Sequence, residues 1–288
     1  MRHRKLNTKR LNRSLGGDIF SIAVLVLFGS FMVLPMIYAI SNAFKPLDEL
    51  FMFPPRFFVR NPTMDNFRDL FLLMAQSWVP FSRYIFNTLF ITAAGTAGHV
   101  VVASMAAYAL EKHRFPGSKL FFSIVVTSLM FSSVVTAIPN YLVMARLNWL
   151  DTYLSLIIPA FGYPLGLFLM KQFMETVPDS LLESARMDGA SEFRTFWTIA
   201  MPCVKPAWLT LVIFSFQTLW GNTGSTFIYS EELKTLPYAL NQILLGGFAR
   251  AGVGAAVVLL MMIVPVTLFM VTQSSIIQTM AKSGIKDD

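Results

Sequence analysis

The sequence predicts an all-α membrane protein that crosses the bilayer six times, and three observations carry that prediction. The 288 residues are 55% hydrophobic and 14% charged, with a mean hydropathy of +0.59, a membrane composition and not that of a soluble core. Apolar runs close to the ~20 residues needed to span a bilayer recur along the chain. Lys and Arg sit mainly in short segments flanking those runs, as the positive-inside rule would place them. That placement assigns the formal charge of +7 to membrane topology and argues against nucleic-acid binding. The single cysteine, Cys203, excludes an intrachain disulfide and any cysteine-built metal site. It reads as a small apolar residue.

Residues 1–18 form a basic tail carrying Arg2, Arg4, Lys5, Lys9, Arg10 and Arg13 against one acid, Asp18. Residues 19–40 are apolar, with Pro35 placed to kink them. They are long enough to span and no small-residue cleavage site follows, so they read as an uncleaved first span with the N-terminus in the cytoplasm. Residues 41–83 hold Pro46, Pro54, Pro55, Pro62 and Pro80; this stretch is too polar and too broken to span and belongs outside. The second span, residues 84–110, is rich in Gly, Ala, Ser and Thr, which let helices approach closely in lipid. Asn87 and His99 lie inside it. An intramembrane His is either functional or makes an interhelical hydrogen bond, and the lack of an acidic residue in the span favours the bond.

Residues 111–119 make a basic cytoplasmic turn, and residues 120–145 a third span with Pro139 near its outer end. A tight external turn at 146–152 leads into a fourth span, 153–170, broken by Pro159 and Pro164 and ending at Lys171. The fifth span covers 207–229, an external segment 231–250, and the sixth span 251–277 with Pro265 inside it. Lys282 and Lys286 leave a short basic tail in the cytoplasm. Domain organisation is therefore the tail 1–18 followed by one six-span domain, 19–288.

Between the fourth and fifth spans lies a polar island, Glu183-Ser184-Ala185-Arg186-Met187-Asp188-Gly189-Ala190, continuing through Ile199, Met201 and Pro202. Its local chemistry is helix, turn, helix. Ser180 with Glu183 has the spacing of a capping box, which predicts a helix start there. Gly189 suits the left-handed turn that closes a helix, and residues 190–200 predict a second helix before Pro202 and Pro206 prevent smooth continuation. From spacing alone Glu183 reads equally well as a cap, and Gly189 as a turn residue.

Glu183-x-Ala185, Asp188-Gly189-Ala190 and Ile199-x-x-Pro202 together resemble the EAA loop of inner-membrane permeases of binding-protein-dependent ABC importers. Two positions depart from that pattern: Ser184 stands where the family usually has Ala, and Met201 where it usually has Leu. The resemblance implies a type I ABC importer permease with a short cytoplasmic coupling helix between spans 4 and 5 that docks on an ATPase subunit. Glu183, Ser184, Ala185, Asp188, Gly189, Ala190, Ile199 and Pro202 would then form the ATPase-coupling loop. Its implied partners are a second homologous permease, two copies of a cytoplasmic ABC ATPase and an extracytoplasmic solute-binding protein. Its implied location is the bacterial inner membrane. The external stretch Phe44-Lys45-Pro46 through Asn61-Pro62-Thr63-Met64-Asp65-Asn66-Phe67, and Leu233-Lys234-Thr235-Leu236-Pro237, resemble the carbohydrate-uptake subgroup. The preceding Gly221-Asn222-Thr223-Gly224 departs from it.

There is no Gly-x-x-x-x-Gly-Lys-Ser/Thr phosphate loop, no His-Glu-x-x-His and no Gly-x-Ser-x-Gly in the sequence, so neither ATP hydrolysis by that route nor the corresponding hydrolases is expected. No cofactor and no metal site is expected. None of the six predicted spans contains Asp or Glu, which argues against an ion-driven carrier that uses buried carboxylates, though neutral oxygens can hold sodium. The expected mechanism is alternating access, with motion passed through the loop into spans kinked at Pro139, Pro159, Pro164 and Pro265. Phe214, Phe216, Gln217, Trp220 and Asn222 supply aromatic faces and amides on one helix, which is what a sugar pathway needs. Ordinary helix packing accounts for the same residues.

Overall fold

The computed structural model describes residues 15–113, 115–247 and 250–283. Of the basic segments expected at the ends, Arg2 to Arg13 and Lys286 lie outside the described residues, as do Arg114 and the side chain of Lys282. All regular structure among the described residues is helical. The chain divides into two compact units, one within Met1–Leu70 and Phe248–Leu259, the other within Phe71–Gly247 and Leu260–Asp288.

In the first unit, helix α1 (Leu15–Ala43) carries Pro35 inside it and exposes its apolar side chains along most of its length. The polar stretch after it folds around its own charged groups, through a short α2 (Leu47–Leu50) and α3 (Asp65–Ala75), whose last residues enter the second unit. Lys45 is 2% exposed; its Nζ donates to Asn42 Oδ1 at 2.7 Å and to the Arg56 carbonyl at 2.5 Å. Buried Glu49 accepts from the Arg60 amide at 2.9 Å. Asn66 Nδ2 donates to the carbonyls of Ala43 and Lys45. Buried polar atoms this well partnered cost little to bury, which is how so polar a segment becomes compact.

The second unit is built on α4 (Phe81–Lys112), against which α7 (Leu154–Phe161), α8 (Pro164–Glu175) and α12 (Lys205–Trp220) all pack. The small residues expected to allow close approach do so. A Cβ at Gly98 would lie 2.0 Å from the Phe161 ring, and one at Gly166 would lie 2.1 Å from His99 Nε2. His99 joins three segments, with Nδ1 2.5 Å from Ser215 Oγ and Nε2 3.2 Å from the Tyr163 carbonyl. The interhelical bond expected of it is present. Met170, Met174, Leu182, Phe196, Ala200 and Leu211 join the α4 side chains in one core.

The breaks fall at definite places. The predicted third span is not one helix but two, α5 (Ser118–Ser128) and α6 (Ser133–Arg146). Ser132 starts α6 afresh by accepting from the Val134 amide at 3.3 Å, and Ser128 Oγ turns back to the Val125 carbonyl, so backbone groups freed at the break find local partners. Pro139 sits within α6 without ending it. The predicted break in the fourth span is found, with Pro164 in the first turn of α8 after an extended Tyr163. Helix α14 (Ala251–Ser283) contains Pro265, and a short α13 (Leu236–Leu244) precedes it. Among the described residues, four helices are long and apolar enough to cross a membrane: Gly16–Ala43, Phe81–Lys112, Leu154–Glu175 and Ala251–Gln273. The pair Glu192–Cys203 and Lys205–Trp220, bent by 83°, makes a fifth if counted as one.

Candidate functional site: the loop between α8 and α12

Helix α9 (Asp179–Met187) begins directly after Pro178, whose fixed φ of −63° and extended ψ of 131° set the boundary. Ser180 therefore lies inside the helix and no side chain caps it, so the capping box expected at Ser180 and Glu183 does not form. The Ser180 carbonyl instead accepts from Ser184 Oγ at 2.8 Å. Leu182 and Ala185 are buried, while Glu183, Ser184, Met187, Asp188 and Gly189 are exposed and Ala190 is half-buried. The helix is thus anchored by one face and presents Glu183 on the other.

Its end follows the expected chemistry. Gly189 has φ of +82°, its amide donates to the Arg186 carbonyl at 3.0 Å, and the Ala190 amide donates to the Ala185 carbonyl at 3.0 Å. These are the two bonds of a Schellman turn, which needs a left-handed residue at this position.

The second helix starts at Glu192, later than predicted, because Ser191 caps it by accepting from the Arg194 amide at 3.3 Å. It runs as α10 (Glu192–Thr195), a π-helical turn Phe196–Ala200, and α11 (Met201–Cys203). Pro202 was expected to prevent continuation, yet the chain stays helical through it. In the widened turn the Met201 amide reaches back to the Phe196 carbonyl; Pro202 has no amide to donate, and the extra residue relieves the clash of its ring with the preceding turn. The real break is at Val204, where Trp208 Nε1 supplies the Met201 carbonyl with a donor at 3.2 Å. Ile199 is half-buried against the core and Pro202 is exposed.

Charge organises the surroundings. Arg186 forks onto Glu192, with Nε to Oε1 at 2.7 Å and Nη2 to Oε2 at 3.3 Å. Tyr108 donates to Glu192 Oε2 at 3.1 Å, and His113 Nε2 lies 3.7 Å from the same oxygen. The Arg186 hydrogen bonds hold the Glu192 carboxyl below its ordinary value, and Glu192 in turn raises the Arg186 guanidinium. At the other end of α9, Lys112 Nζ donates to the Val177 carbonyl at 2.6 Å and to Asp179 Oδ1 at 2.8 Å. Met187 (88% exposed) and Phe193 (67%) leave large apolar side chains uncovered beside these charges. Tyr108, Lys112 and Glu192 escaped the sequence reading, since each pairs with a residue more than sixty positions away or across the turn; the clustered Glu111, Lys112 and His113 were the available signal.

The five predicted pathway residues do not share a face, and only four of them lie on α12. Phe214, 44% exposed, lines a cavity of about 300 Å³ together with His99, Tyr163, Ser215, Thr218 and Phe131. Gln217 is exposed. Phe216 and Trp220 point the other way and stack on each other at 5.6 Å, with Trp220 buried and its Nε1 donating to the Met261 carbonyl at 3.1 Å. Asn222 lies past the helix end and accepts from the Gly224 amide at 2.9 Å.

The family described as binding-protein-dependent transport system inner membrane component matches residues 99–282, the stretch holding this loop and the helices that carry it. The chain belongs to that family. Protein LplC of Bacillus subtilis (strain 168) is a relative, 33% identical over 225 residues that make up 76% of this chain and 72% of LplC. The sn-glycerol-3-phosphate transport system permease protein UgpE of Pectobacterium atrosepticum is 32% identical over 207 residues, 72% of this chain and 74% of UgpE. A crystal structure of a bacterial ABC transporter involved in the import of the acidic polysaccharide alginate contains a chain of the same fold, with a TM-score of 0.75 over 91% of this chain and 98% of that one at 23% identity.

Proposed function

We propose that this inner-membrane component is the permease subunit of an ATP-driven ABC importer for a sugar or oligosaccharide, with α9 as the coupling helix. It is a transport subunit and not an enzyme; ATP is hydrolysed on a separate subunit. The observation that carries this reading is α9 itself: a short helix buried through Leu182 and Ala185, ended by Asp188 and Gly189, and presenting Glu183 outward with no duty as a cap, beside exposed Ser184. Leu182 and Ala185 seat it on the body of the chain, and the exposed acidic face with Met187 beside it is shaped for an ATPase subunit. The chain crosses the membrane six times with both termini in the cytoplasm, counting α5 with α6 as the third span and α12, after the break at Val204, as the helix of the fifth. It works with a second homologous permease, two ATPase copies and an extracytoplasmic solute-binding protein, and ATP-driven closure tilts α9 to switch the pathway between the two sides.

Phe214 at the mouth of the His99 cavity, with Gln217 beside it, offers the substrate an aromatic face and an amide. A sugar is favoured by the external segments around Asn66 and Lys234, which resemble those of carbohydrate permeases. The relative UgpE, named for sn-glycerol-3-phosphate, favours a second reading in which the same architecture takes a small phosphorylated polyol. In the complex reconstituted in proteoliposomes, Glu183→Ala is expected to abolish transport and stimulated ATP hydrolysis while assembly is retained. Wild-type uptake by that variant would overturn the coupling role. Competition of uptake by a panel of oligosaccharides and glycerol phosphate distinguishes the two substrates.

A further inference from the structure

One element of the second unit is continuous where its neighbours are broken. The α5–α6 region breaks at residues 129–132, the α7–α8 pair at 162–163 and the chain before α12 at Val204. Helix α4 has 32 residues and no proline. At ~1.5 Å per residue it is about 48 Å long, well beyond the ~30 Å hydrocarbon core, so its ends reach both surfaces. Both ends are gripped, and each grip includes main-chain groups of the neighbouring loop.

At the N-terminal end, buried Asn87 donates from Nδ2 to the carbonyls of Glu232 and Lys234, each at 2.8 Å. Its Oδ1 accepts from Tyr153 at 2.7 Å, so every hydrogen-bonding position of the amide group but one lone pair is used. Thr88 Oγ1 accepts from the Leu236 amide at 2.7 Å, Tyr84 donates to Glu231 Oε1 at 2.8 Å, and Arg83 Nε donates to the Glu232 carbonyl at 3.2 Å. The loop Glu231–Leu236 is thereby fastened to one helical turn after another. At the C-terminal end, Lys112, whose side chain is 6% exposed, holds the Val177 carbonyl just before α9 and Asp179, the first residue of α9. Glu111 pairs with Lys171 of α8 at 2.6 Å, and Tyr108 with His113 holds Glu192 behind α9. The coupling loop is thus clamped on both sides of α9 by the tip of one helix.

A bond to a main-chain carbonyl fixes the path of the chain and not the rotamer of a side chain, so displacement at one grip must appear at the other unless a buried hydrogen bond is left unmade. We propose that α4 is a transmembrane strut that makes the outer loop Glu231–Leu236 and the coupling loop move as a single body, with Asn87 and Lys112 as the positioning residues at its two ends. The inference rests on the transport reading above. It adds that the side facing the solute-binding protein and the side facing the ATPase are joined mechanically through this chain's second span, while the broken helices around it absorb the change of shape.

The test uses the full complex in nanodiscs with Cys203→Ser, since Cys203 is exposed. Spin labels are placed at Glu232→Cys and Thr176→Cys, and in a second sample at Thr176→Cys and Val135→Cys, the last on α6. Pulsed electron paramagnetic resonance then compares nucleotide-free and ATP-trapped states. The strut requires the 232–176 distance to stay constant within about half a helical turn, roughly 3 Å, while the 176–135 distance changes. A larger change in the first pair overturns the strut even if transport is normal. If neither pair responds to ATP, the transport reading fails and the strut fails with it. As an independent readout, Asn87→Leu and Lys112→Met should each lower the ratio of binding-protein-stimulated to basal ATP hydrolysis by about fivefold or more, the effect of ~1 kcal/mol, and Lys112→Arg should restore it. An unchanged ratio in both variants overturns the proposal.

Discussion

Gly189 allows a quantitative test of the proposed coupling loop, because the structure separates the two ways in which a side chain can offend. A Cβ built on Gly189 meets nothing within 4 Å, so replacement creates no overlap. What remains is the backbone: φ of +82° costs a non-glycine L-residue about 1–2 kcal/mol, and more when the side chain is branched at Cβ. Gly189→Ala should therefore lower the ratio of closed to open Schellman turn by roughly 5- to 30-fold relative to wild type. Gly189→Val should be worse, and Gly189→Asn should lie closest to wild type because Asn tolerates the left-handed region. Two assays check the series. Binding of the ATPase subunit to the permease pair, measured by titration, should weaken in the order Asn, Ala, Val. The melting temperature of the detergent-solubilised permease should hardly move, since the turn is exposed and local. An Ala variant that binds as tightly as wild type, or a series ordered by side-chain volume with Asn worse than Ala, would refute the strain argument.

Three further outcomes follow from other sites. Gly166→Ala places a Cβ 2.1 Å from His99 Nε2 and 2.8 Å from a Leu211 methyl; overpacking of this kind costs about 1–3 kcal/mol, so the solubilised protein should melt several degrees lower, whereas Gly162→Ala, with only the Pro159 carbonyl at 3.7 Å, should melt near wild type. Met187→Glu charges the most exposed apolar side chain of α9 and should weaken ATPase binding without lowering the melting temperature; equal affinity would remove Met187 from the docking face. Glu192 contributes its tie to Arg186 while ionised, and its carboxyl is held below the ordinary range. The tie is therefore fully present above the unfolded glutamate value of about 4.3 and lost as pH falls through the lower folded value. Amide exchange at residues 186–192, corrected for intrinsic rates, should stay slow down to mildly acidic pH and quicken below it, and Glu192→Gln should abolish that step.

What could be read from the chain alone was what depends on one residue or one short window. Hydropathy located α1, α4 and α14 closely, because burying apolar length in lipid needs no tertiary information. Gly189 was legible because only a left-handed position demands it, and His99 because a polar ring inside a span must find partners. The break between α5 and α6 was not legible: Leu129, Met130 and Phe131 carry no breaker, and Pro139 drew attention to the wrong turn. The capping box misled because Pro178 fixes the start of α9 earlier than Ser180. The five pathway residues separated for a reason already present in their numbering, since Phe214 and Phe216 are two apart and positions so spaced lie on opposite sides of a helix. The clamps at Lys112, Tyr108 and Glu192 needed the fold, because helices distant in sequence bring the charges together.

The five-residue turn at Phe196–Ala200 has one more consequence. A π turn accommodates one residue beyond an α-helical turn, so everything after it is rotated by about 100° from where uninterrupted winding would put it. That rotation is what leaves Met201 inward against the core and Pro202 outward. Deleting Thr198 would let the segment wind regularly, yet it would swing the proline ring toward the interior and lift the methionine out. A shorter sequence here would be locally more ideal and globally mis-aimed, so the surplus residue serves as an indexing device for everything downstream.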